Sequence, residues 1–324
     1  MLDLFLMSFG IGVILTPALV FLAIIFRFVD YPNERRINKI PIPTAGGLAI
    51  YAAFFLTAYL LKVGDLLAYF VGGTIIVLVG LIDDWRGLSA GTKFLGQLIA
   101  VAAFLWLSSS TNYLIAAIWM LSVINITNFI DGLDGLASGI ILIAALALFI
   151  WTYAIGFPQI AGLFLIVMGA CAGFLAYNFH PAKIFLGDTG AMFLGFIFAA
   201  LANDSVLVTD IVYNLPLLVL ILVLPTLDTF CAIVRRLQKG VPIYQADQQH
   251  FHHCLLALGL GQRQVALVAY LLTLTSAGLA LFLVKTQSWS QFIVLVIIAV
   301  VFMFGASRIG MINPLIVKSE RRVL

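Results

Sequence analysis

Charged residues are scarce in this chain. They make up 10% of its 324 residues, whereas 63% are hydrophobic. A soluble domain carries roughly 25% charged residues. Together with a mean hydropathy of +1.16, this composition excludes an ordinary soluble protein, and we expect no nucleic-acid partner.

Cysteine is also rare. The three cysteines, Cys171, Cys231 and Cys254, form no CxxC pair and lie in or near apolar runs. We interpret them as small side chains packed within the membrane region. No basic segment precedes the first apolar run and no small-residue cleavage site follows it, which predicts a retained helix and not a signal peptide.

Long apolar runs fill the rest of the sequence. Runs of about 15–23 residues recur from end to end, enough to cross a hydrocarbon core about 30 Å thick. We predict an all-α, polytopic integral membrane protein with about eleven transmembrane helices. The expected spans are 4–26, 44–62, 66–82, 94–108, 112–127, 136–154, 159–177, 189–202, 211–233, 264–284 and 290–306.

The basic residues are distributed unevenly between the two sides that these spans define. Because basic loops stay on the cytoplasmic side, their positions set the orientation. Of the 17 Lys and Arg residues, only Lys62 and Lys285 fall on the opposite side. We therefore predict the N-terminus outside and the C-terminus in the cytoplasm. The expected cytoplasmic loops lie near 27–43, 83–93, 128–135, 178–188 and 234–263.

Most acids away from the termini, and all the histidines, fall on that same cytoplasmic side. Removing a carboxylate from water is costly, so an acid kept at the edge of a membrane segment is a functional candidate. Several acids without matching bases beside them indicate a divalent cation and its phosphates. The residues concerned are Asp83, Asp84, Asp131, Asp134, Asp188, Asp228, His180, His250, His252 and His253.

Two adjacent acids, Asp83 and Asp84, end the third expected span, and Lys93 follows ten residues later. Paired carboxylates suit Mg²⁺ binding or proton abstraction, since like charges raise one pKa. The alternative is a solvated helix end with Arg86 as the partner, which is the better explanation of an isolated pair.

Polar groups recur every three residues at Asn125, Asn128, Asp131 and Asp134. Nine residues of straight helix accumulate about 180° of rotation, so the first and last would point apart. The glycines that follow allow the helix to open into a loop. We expect the carboxamide and carboxylate oxygens to converge on one spot. A polar turn that caps the next helix is the alternative.

The stretch 178–190 again ends in an acid, Asp188, before a short apolar span. Asp188 as a helix N-cap and Asp188 as a metal ligand are compatible interpretations, because a helix N-terminus also favours phosphate.

Three histidines, His250, His252 and His253, lie in the longest cytoplasmic loop, after Arg235 and Arg236. Zinc is the first suggestion, but adjacent histidines on a helix do not converge on one tetrahedral ion. Histidine donors beside a basic stretch fit pyrophosphate oxygens better. A polar amphipathic segment is the alternative.

These motifs together resemble the polyprenyl-phosphate N-acetylhexosamine-1-phosphate transferases, the family that includes the bacterial translocase making lipid I. The matching segments span about residues 32 to 260, in the family's order. They are Gly46-Gly47 after Pro43-Thr44, Asp83-Asp84 with Lys93, the 128–135 stretch, Phe185-Leu186-Gly187-Asp188, and the histidine loop.

The resemblance implies a role for each motif residue within a single transmembrane catalytic domain, residues 1–324. Asp188 is the expected Mg²⁺ ligand with Asn128, and Mn²⁺ is an alternative ion. The expected catalytic residues are Asp83, Asp84, Lys93, His250, His252 and His253. The expected substrate-binding residues are Asn125, Asp131, Asp134, Asn178, Phe185, Arg235 and Arg236, with Phe185 stacking on uracil.

The implied reaction transfers N-acetylhexosamine-1-phosphate from a UDP-sugar to undecaprenyl phosphate and releases UMP. The implied place is the bacterial inner membrane, with the site on its cytoplasmic face. The His-Phe-His-His pattern is more similar to the N-acetylglucosamine branch than to the lipid I branch, which stays the alternative. An ion-coupled transporter is the alternative from another class, and a homodimer is left open.

Two features of the ninth expected span, 211–233, stand apart from these motifs. Pro216 and Pro225 are expected to kink or break that helix, and we predict that the break opens a lateral groove for the lipid tail. Asp228, in the same run, has no assigned role.

Overall fold

The computed structural model describes residues 1–31, 40–108, 112–207, 211–242, 247, 249–284 and 290–311. Its contacts separate two compact units, Met1–Ile211 and Val212–Leu324, and each is described by itself. Arg35, Arg36 and Lys39, which contributed to the predicted orientation, lie outside the described residues. That the whole chain acts as one catalytic domain stays a prediction.

The first unit is built from eight α-helices and one short strand pair within its described residues. The strands are antiparallel, with Val29 opposite Pro43 and Asp30 opposite Ile42. The elements are α1 (Leu2–Ile25), β1 (Val29–Asp30), β2 (Ile42–Pro43), α2 (Gly47–Leu60), α3 (Leu67–Arg86), α4 (Ala90–Leu107), α5 (Tyr113–Ile130), α6 (Leu136–Ala154), α7 (Pro158–Asn178) and α8 (Gly187–Ala202), followed by a π-helical turn, Asn203–Leu207.

Helix α8 forms the centre of the first unit. Every side chain from Thr189 to Ala202 is buried, and the helix packs against α2, α3 and α5. Glycines allow the close approach: a Cβ on Gly80 would lie 2.4 Å from the Cα of Thr189, and one on Gly47 would lie 2.2 Å from the Cα of Gly190. The end of α3 and the start of α2 are therefore brought against the start of α8.

The second unit begins with a broken helix. Its described elements are α9 (Ile211–Ile221), α10 (Val223–Gln238), α11 (Phe251–Ala257), α12 (Gln262–Val284) and α13 (Ser290–Arg308). The axes of α9 and α10 differ by 82°, which confirms a break in the expected span; it lies before Pro225, whereas Pro216 is inside α9. Pro225 lies in the first turn of α10, where its missing N–H leaves no helical bond unmade.

Two predicted loops are shorter than expected. Helix α3 continues to Arg86 and α4 begins at Ala90, so Asp83 and Asp84 belong to the last helical turn. Ser89 caps α4, since its Oγ accepts a hydrogen bond from the Thr92 N–H at 3.2 Å. The stretch 234–263 is not one loop either: α10 runs to Gln238, and α11 carries two of the three clustered histidines.

The described chain is that of an all-α, multi-pass membrane protein. Seven helices are long and apolar enough to span a membrane, and the bent pair α9–α10 makes an eighth candidate, within the described residues. The apolar segments Gly47–Leu60 and Phe292–Arg308 are shorter. The count of eleven and the orientation of the termini stay predictions. Many large apolar side chains are exposed, among them Ile14 and Leu114, as is typical of helices that face lipid.

Candidate active site

Polar helix ends meet at one end of the first unit. The ends of α3, α5 and α7 and the starts of α4 and α8 carry the motif residues, and hydrogen bonds link them. Their side chains form the lysine cluster, which consists of Asp83, Lys93, Asn128 and Asp188. Residues up to 105 positions apart in sequence thus form one constellation.

The ammonium of Lys93 lies at the centre of the lysine cluster. Its Nζ is 2.8 Å from Asp83 Oδ2 and 2.5 Å from Asp188 Oδ1. It also donates to Asn128 Oδ1 at 3.1 Å. Because the side chain of Lys93 is only 17% exposed, its charge acts with little screening by water. The cluster therefore concentrates one positive charge between two carboxylates.

Asn128 and Asp188 are also bonded to each other. The Nδ2 of Asn128 donates to Asp188 Oδ1 at 2.5 Å, while its Oδ1 accepts from Lys93. The carboxylate of Asp188 is 35% exposed, the most open member of the pairs that Lys93 forms. Of the two carboxylates that Lys93 contacts, Asp188 is therefore the better placed to bind a ligand that enters from solvent.

The two adjacent acids have different hydrogen-bond partners. Asp83 contacts Lys93, and its Oδ1 accepts from the Leu88 N–H at 2.6 Å. Asp84 points to the start of α8 and accepts from the Asp188 N–H at 2.8 Å, the Thr189 N–H at 3.1 Å and the Thr189 hydroxyl at 2.6 Å. A carboxylate at a helix N-terminus is favourable because it satisfies unpaired N–H groups. These bonds hold the start of α8, which carries Asp188, and the catalytic role predicted for Asp84 stays a prediction.

Gly187 makes that contact sterically feasible. Its φ is +73°, a backbone conformation that favours glycine. A Cβ at this position would lie 2.6 Å from Asp84 Oδ2. The glycine of the Phe-Leu-Gly-Asp motif is therefore required by the approach of Asp84.

Asp131 lies between the helix ends, directly after α5. Burial raises the pKa of this carboxyl well above its usual range, and the negative charges of Asp188, Asp84 and Asp134 raise it further. Several carboxylates are therefore close enough to repel one another, which is typical of a site that receives a cation.

Asp134 and Asn178 connect two loops. Asp134 Oδ2 lies 2.7 Å from His180 Nδ1 and accepts from the Ala182 N–H at 3.1 Å. Asn178 is buried; it accepts from the Gly135 N–H at 3.1 Å and donates to the Ile184 carbonyl at 2.9 Å. These contacts favour a structural role over contacts with uridine, which stay predictions.

The polar residues spaced by three converge only in part: Asp131 is close to Asp134 and Asp188, and Asn128 bonds to Asp188, but Asn125 lies apart, contrary to the sequence prediction. Asn128 joins the lysine cluster and Asp134 the loop beyond α7. Asn125 lies one turn deeper on α5 and pairs with Gln97 of α4. Because α5 stays regular to Ile130, helical rotation turns Asn125 and Asn128 toward different neighbours.

Phe185 is held by its backbone. Its N–H donates to the Pro43 carbonyl at 2.8 Å, and its own carbonyl accepts from the Gly46 N–H at 3.0 Å. A Cβ on Gly46 would lie 2.6 Å from that carbonyl, which explains the glycine pair of the early motif. The ring is half-buried, and its stacking on uracil stays a prediction.

In the second unit, Asp228 holds the histidine segment. The carboxylate is buried, with Oδ2 3.0 Å from His250 Nδ1 and Oδ1 accepting from the Phe251 N–H at 2.9 Å. It caps α11 from a neighbouring helix. The acid left without a role in the sequence analysis is thus a positioning residue for His250.

The other two histidines are neutral near pH 7. Burial lowers the pKa of His252 well below its ordinary value, and the neighbouring His253 and His250 lower it further. Burial also lowers the pKa of His253. Both ring nitrogens of His252 lack a hydrogen-bond partner within the described part of the chain. Neutral rings can donate to or accept from a ligand but add no positive charge.

Arg235 and Arg236 are helical and buried. Arg235 is 1% exposed, forms an ion pair with Asp247 and donates to the Met311 carbonyl at 2.5 Å. Burial raises the pKa of Asp247, but hydrogen bonding and the charge of Arg235 outweigh this and lower it. This placement favours a positioning role for Arg235 over the predicted contact with the nucleotide.

Several residues that bond to the motif residues were not predicted from the sequence. Thr189 and Asp247 are close in sequence to motif residues, and Gln97 lies one helical turn after Lys93. Spacing on a known helix could have indicated Gln97, because i and i+4 share a face. The long-range partners Asp84–Thr189 and Asp228–His250 have no local signal.

The donor set can be compared with what Mg²⁺ requires. No group of three or more His, Cys, Asp or Glu side chains is arranged to hold a metal ion among the described residues. Mg²⁺, however, is usually bound through one or two carboxylates, substrate phosphates and waters. The partly exposed carboxylate of Asp188, with other oxygens nearby, fits that mode of binding.

Removing the Asp228 carboxylate is expected to destabilise the second unit. In Asp228→Ala the Phe251 N–H and the His250 ring lose a buried partner, which costs about 1–3 kcal/mol. Asp228→Asn is expected to cost less, because its oxygen still accepts from Phe251. Thermal unfolding of the detergent-solubilised protein measures both, with exposed Asp3→Ala as the control. An Asp228→Ala protein that unfolds at the wild-type temperature would contradict the assignment.

The segment that contains the lysine cluster matches a known protein family. The model of glycosyl transferase family 4 matches residues 66–206, which contain the whole cluster. A Bacillus subtilis protein described as "Probable undecaprenyl-phosphate N-acetylglucosaminyl 1-phosphate transferase" is 33% identical over 95% of this chain and 92% of its own length.

Two further relatives have related descriptions. The "Decaprenyl-phosphate N-acetylglucosaminephosphotransferase" of Mycobacterium leprae is 35% identical over 75% of this chain and 73% of its own. The "Phospho-N-acetylmuramoyl-pentapeptide-transferase" of Moorella thermoacetica is 33% identical over 64% of this chain and 72% of its own. The chain therefore belongs to glycosyl transferase family 4, as a membrane-bound polyprenyl-phosphate N-acetylhexosamine-1-phosphate transferase.

Proposed function

We propose that this protein transfers N-acetylglucosamine-1-phosphate from UDP-N-acetylglucosamine to undecaprenyl phosphate and releases UMP. The observation that carries the proposal is the lysine cluster, in which a poorly solvated ammonium is held between Asp83 and Asp188. A cation in such surroundings is suited to phosphoryl groups. The proposed place is the cytoplasmic face of the bacterial inner membrane, as the distribution of basic residues predicts.

The proposed reaction is a single in-line displacement. An oxygen of the lipid phosphate forms a bond to the β-phosphorus of the UDP-sugar. The bond from that phosphorus to the bridging oxygen breaks, and its electron pair leaves with UMP. Because a phosphate oxygen is already ionised, the step needs positioning and charge stabilisation more than a strong base.

The chain's own residues supply that positioning. The Lys93 ammonium neutralises charge that accumulates on phosphoryl oxygens, and Asn128 and Asp83 hold it in place. Asp84 fixes the start of α8, so that Asp188 faces the ligand from a rigid helix terminus. In this scheme Asp83 orients Lys93 and does not form a covalent intermediate.

Mg²⁺ is the proposed cofactor, with Mn²⁺ as the alternative ion. Asp188 would hold it, with Asn128 as the predicted second ligand. When bound, the ion supplies positive charge to the pyrophosphate and favours departure of UMP. His252 and His253, as neutral donors, stay predicted contacts for a phosphate or sugar group.

The choice of sugar depends on the relatives and on one sequence motif. The Bacillus subtilis relative aligns over 95% of this chain, against 64% for the Moorella thermoacetica relative. The His-Phe-His-His pattern also favours the N-acetylglucosamine branch. Transfer of phospho-N-acetylmuramoyl-pentapeptide is the second candidate, supported by the latter relative. The transporter alternative is set aside because the family is that of transferases.

The proposal is tested by UMP release from a panel of donors. Purified protein is given undecaprenyl phosphate, Mg²⁺ and either UDP-N-acetylglucosamine, UDP-N-acetylgalactosamine or UDP-N-acetylmuramoyl-pentapeptide. We expect release from the first donor, only with the lipid present and only before a chelator is added. Release from the pentapeptide donor alone would establish the second candidate, and no release from any donor would refute the proposal.

A further inference from the structure

A second polar contact lies one helical turn below the lysine cluster. The side chain of Gln97 is 1% exposed and exchanges two hydrogen bonds with Asn125: Nε2 to Oδ1 at 3.3 Å and Nδ2 to Oε1 at 2.8 Å. Nε2 of Gln97 also lies 3.4 Å from Met192 Sδ. Gln97, Asn125 and Met192 are called the amide layer below.

The amide layer repeats three of the four members of the lysine cluster, those on α4, α5 and α8; the fourth, Asp83, lies on α3. Gln97 follows Lys93 by four residues on α4. Asn125 precedes Asn128 by three on α5, and Met192 follows Asp188 by four on α8. Because an α-helix turns once every 3.6 residues, each member lies one turn from a member of the cluster. The two sets are stacked layers of one three-helix contact.

The amide layer fixes the position of α4 against α5 more strictly than apolar packing would. A buried carboxamide is costly unless its groups are paired, and the reciprocal pair forms only at one rotation and one height of α4 against α5. Leucine or methionine in these positions would pack at several registers. The lysine cluster depends on such a fixed position of the helices, because its contacts are made at 2.5–3.1 Å.

We infer that Gln97 is a positioning residue for the transferase reaction: its amide pair with Asn125 sets the register in which Lys93 and Asn128 reach Asp188. Gln97 has no access to substrate, since it is buried and both amide groups are bonded within the protein. Asn125, predicted from sequence to bind substrate, belongs to this positioning pair. The reaction in this inference is the proposed function, so the inference rests on that proposal. Its geometry depends only on the observed contacts.

The test compares variants that remove the amide while keeping the volume. Gln97→Met and Asn125→Leu, singly and together, are measured for kcat, KM and the folded fraction by size exclusion in detergent. Gln97→Asn, which stays polar but is one methylene too short, is the second variant. Thr152→Val is the matched control, because Thr152 is a buried side chain whose hydroxyl, within the described part of the chain, bonds to carbonyls of its own helix.

A shift of about 1 Å at a reacting group can lower a rate about 100-fold, and we expect Gln97→Met to lower kcat by about 10-fold to 100-fold. KM and the folded fraction should stay within about twofold of wild type. Because the pair acts as a unit, the double variant should be no slower than the slower single variant.

Three outcomes would overturn the inference while leaving the proposed function standing. They are unchanged kcat in folded Gln97→Met, a loss of kcat matched by a rise in KM, and losses that multiply in the double variant. If Gln97→Met does not fold, Gln97→Asn becomes the test, and a wild-type kcat in that variant would overturn the inference. An inactive wild-type protein would instead refute the proposed function.

Discussion

Replacing Lys93 with methionine is expected to lower kcat by about 1,000-fold while the protein still folds. Methionine keeps most of the aliphatic stem but removes the ammonium that lies 2.8 Å from Asp83 and 2.5 Å from Asp188. The loss is large because the group is poorly solvated and no other cation is bonded to these two carboxylates among the described residues. Water in its place would not compensate the charge.

The variant also changes the field that a substrate meets. With Lys93 gone, Asp83 and Asp188 repel each other and repel the phosphates of both substrates. Asn128 keeps its bond to Asp188 but loses the one to Lys93. We therefore expect KM for the donor to rise as well, with kcat carrying most of the change.

Two further variants make the result specific. Lys93→Arg keeps the charge but presents a planar group with a different reach, and should retain part of the activity. Lys62→Met removes an exposed lysine outside the lysine cluster and should behave as wild type. Steady-state UMP release gives kcat and KM for all three. A Lys93→Met enzyme within tenfold of wild type would contradict the role assigned to the ammonium.

The sequence was sufficient to place the site at one end of a helical membrane protein. Carboxylates are costly in hydrocarbon, so Asp83, Asp131 and Asp188 must lie where spans end, and alternate helix ends fall on the same side. Their contacts in the first unit follow that expectation. The break between α9 and α10 was also predictable, since Pro225 cannot continue a helix.

What each polar residue does was not predictable from the sequence. Asp83 and Asp84 are adjacent and chemically identical, yet one contacts Lys93 and the other contacts the start of α8. The difference arises from helical rotation of about 100° per residue and from which neighbour packs on each face. That neighbour, Thr189, is 105 positions from Asp84, so no local pattern encodes the contact.

The sequence predicted ligand-binding roles for Arg235 and Asn178 because it did not show that both side chains are buried. Sequence reasoning treats an arginine after an apolar run as exposed, but helix α10 continues through Arg235 and Asp247 pairs with it. Asn178 was expected to face a ligand and instead bonds backbone groups on two loops. A tertiary partner determines whether a polar side chain faces inward, and only the fold supplies that partner.

Replacing Asp84 with asparagine is expected to lower both thermal stability and kcat, the latter by about 100-fold. An amide offers one acceptor oxygen where the carboxylate offered two. Asp84 receives three hydrogen bonds, from the Asp188 N–H, the Thr189 N–H and the Thr189 hydroxyl. In either orientation of the amide, its NH₂ group faces a backbone N–H.

The cost follows from that mismatch. One backbone N–H at the start of α8 loses its acceptor, which destabilises the fold by about 1–3 kcal/mol, and the favourable charge at the helix N-terminus is lost. The first turn of α8 is then free to shift, and it carries Asp188. Since the lysine cluster depends on short contacts to Asp188, a shift of the helix start reduces the rate without removing any member of the cluster.

Asp83→Asn provides the contrast, because within the described residues the backbone N–H groups of Asp188 and Thr189 bond to Asp84 and not to Asp83. It should reduce kcat through Lys93 while changing the midpoint of thermal unfolding less than Asp84→Asn. Asp65→Asn is the matched control near the other end of α3: it keeps the oxygen that accepts from the Leu67 N–H at 3.1 Å, and should leave both quantities unchanged. Equal losses of stability in Asp83→Asn and Asp84→Asn would contradict the separate roles, because among the described residues Asp84 is the carboxylate that accepts from the first backbone N–H groups of α8.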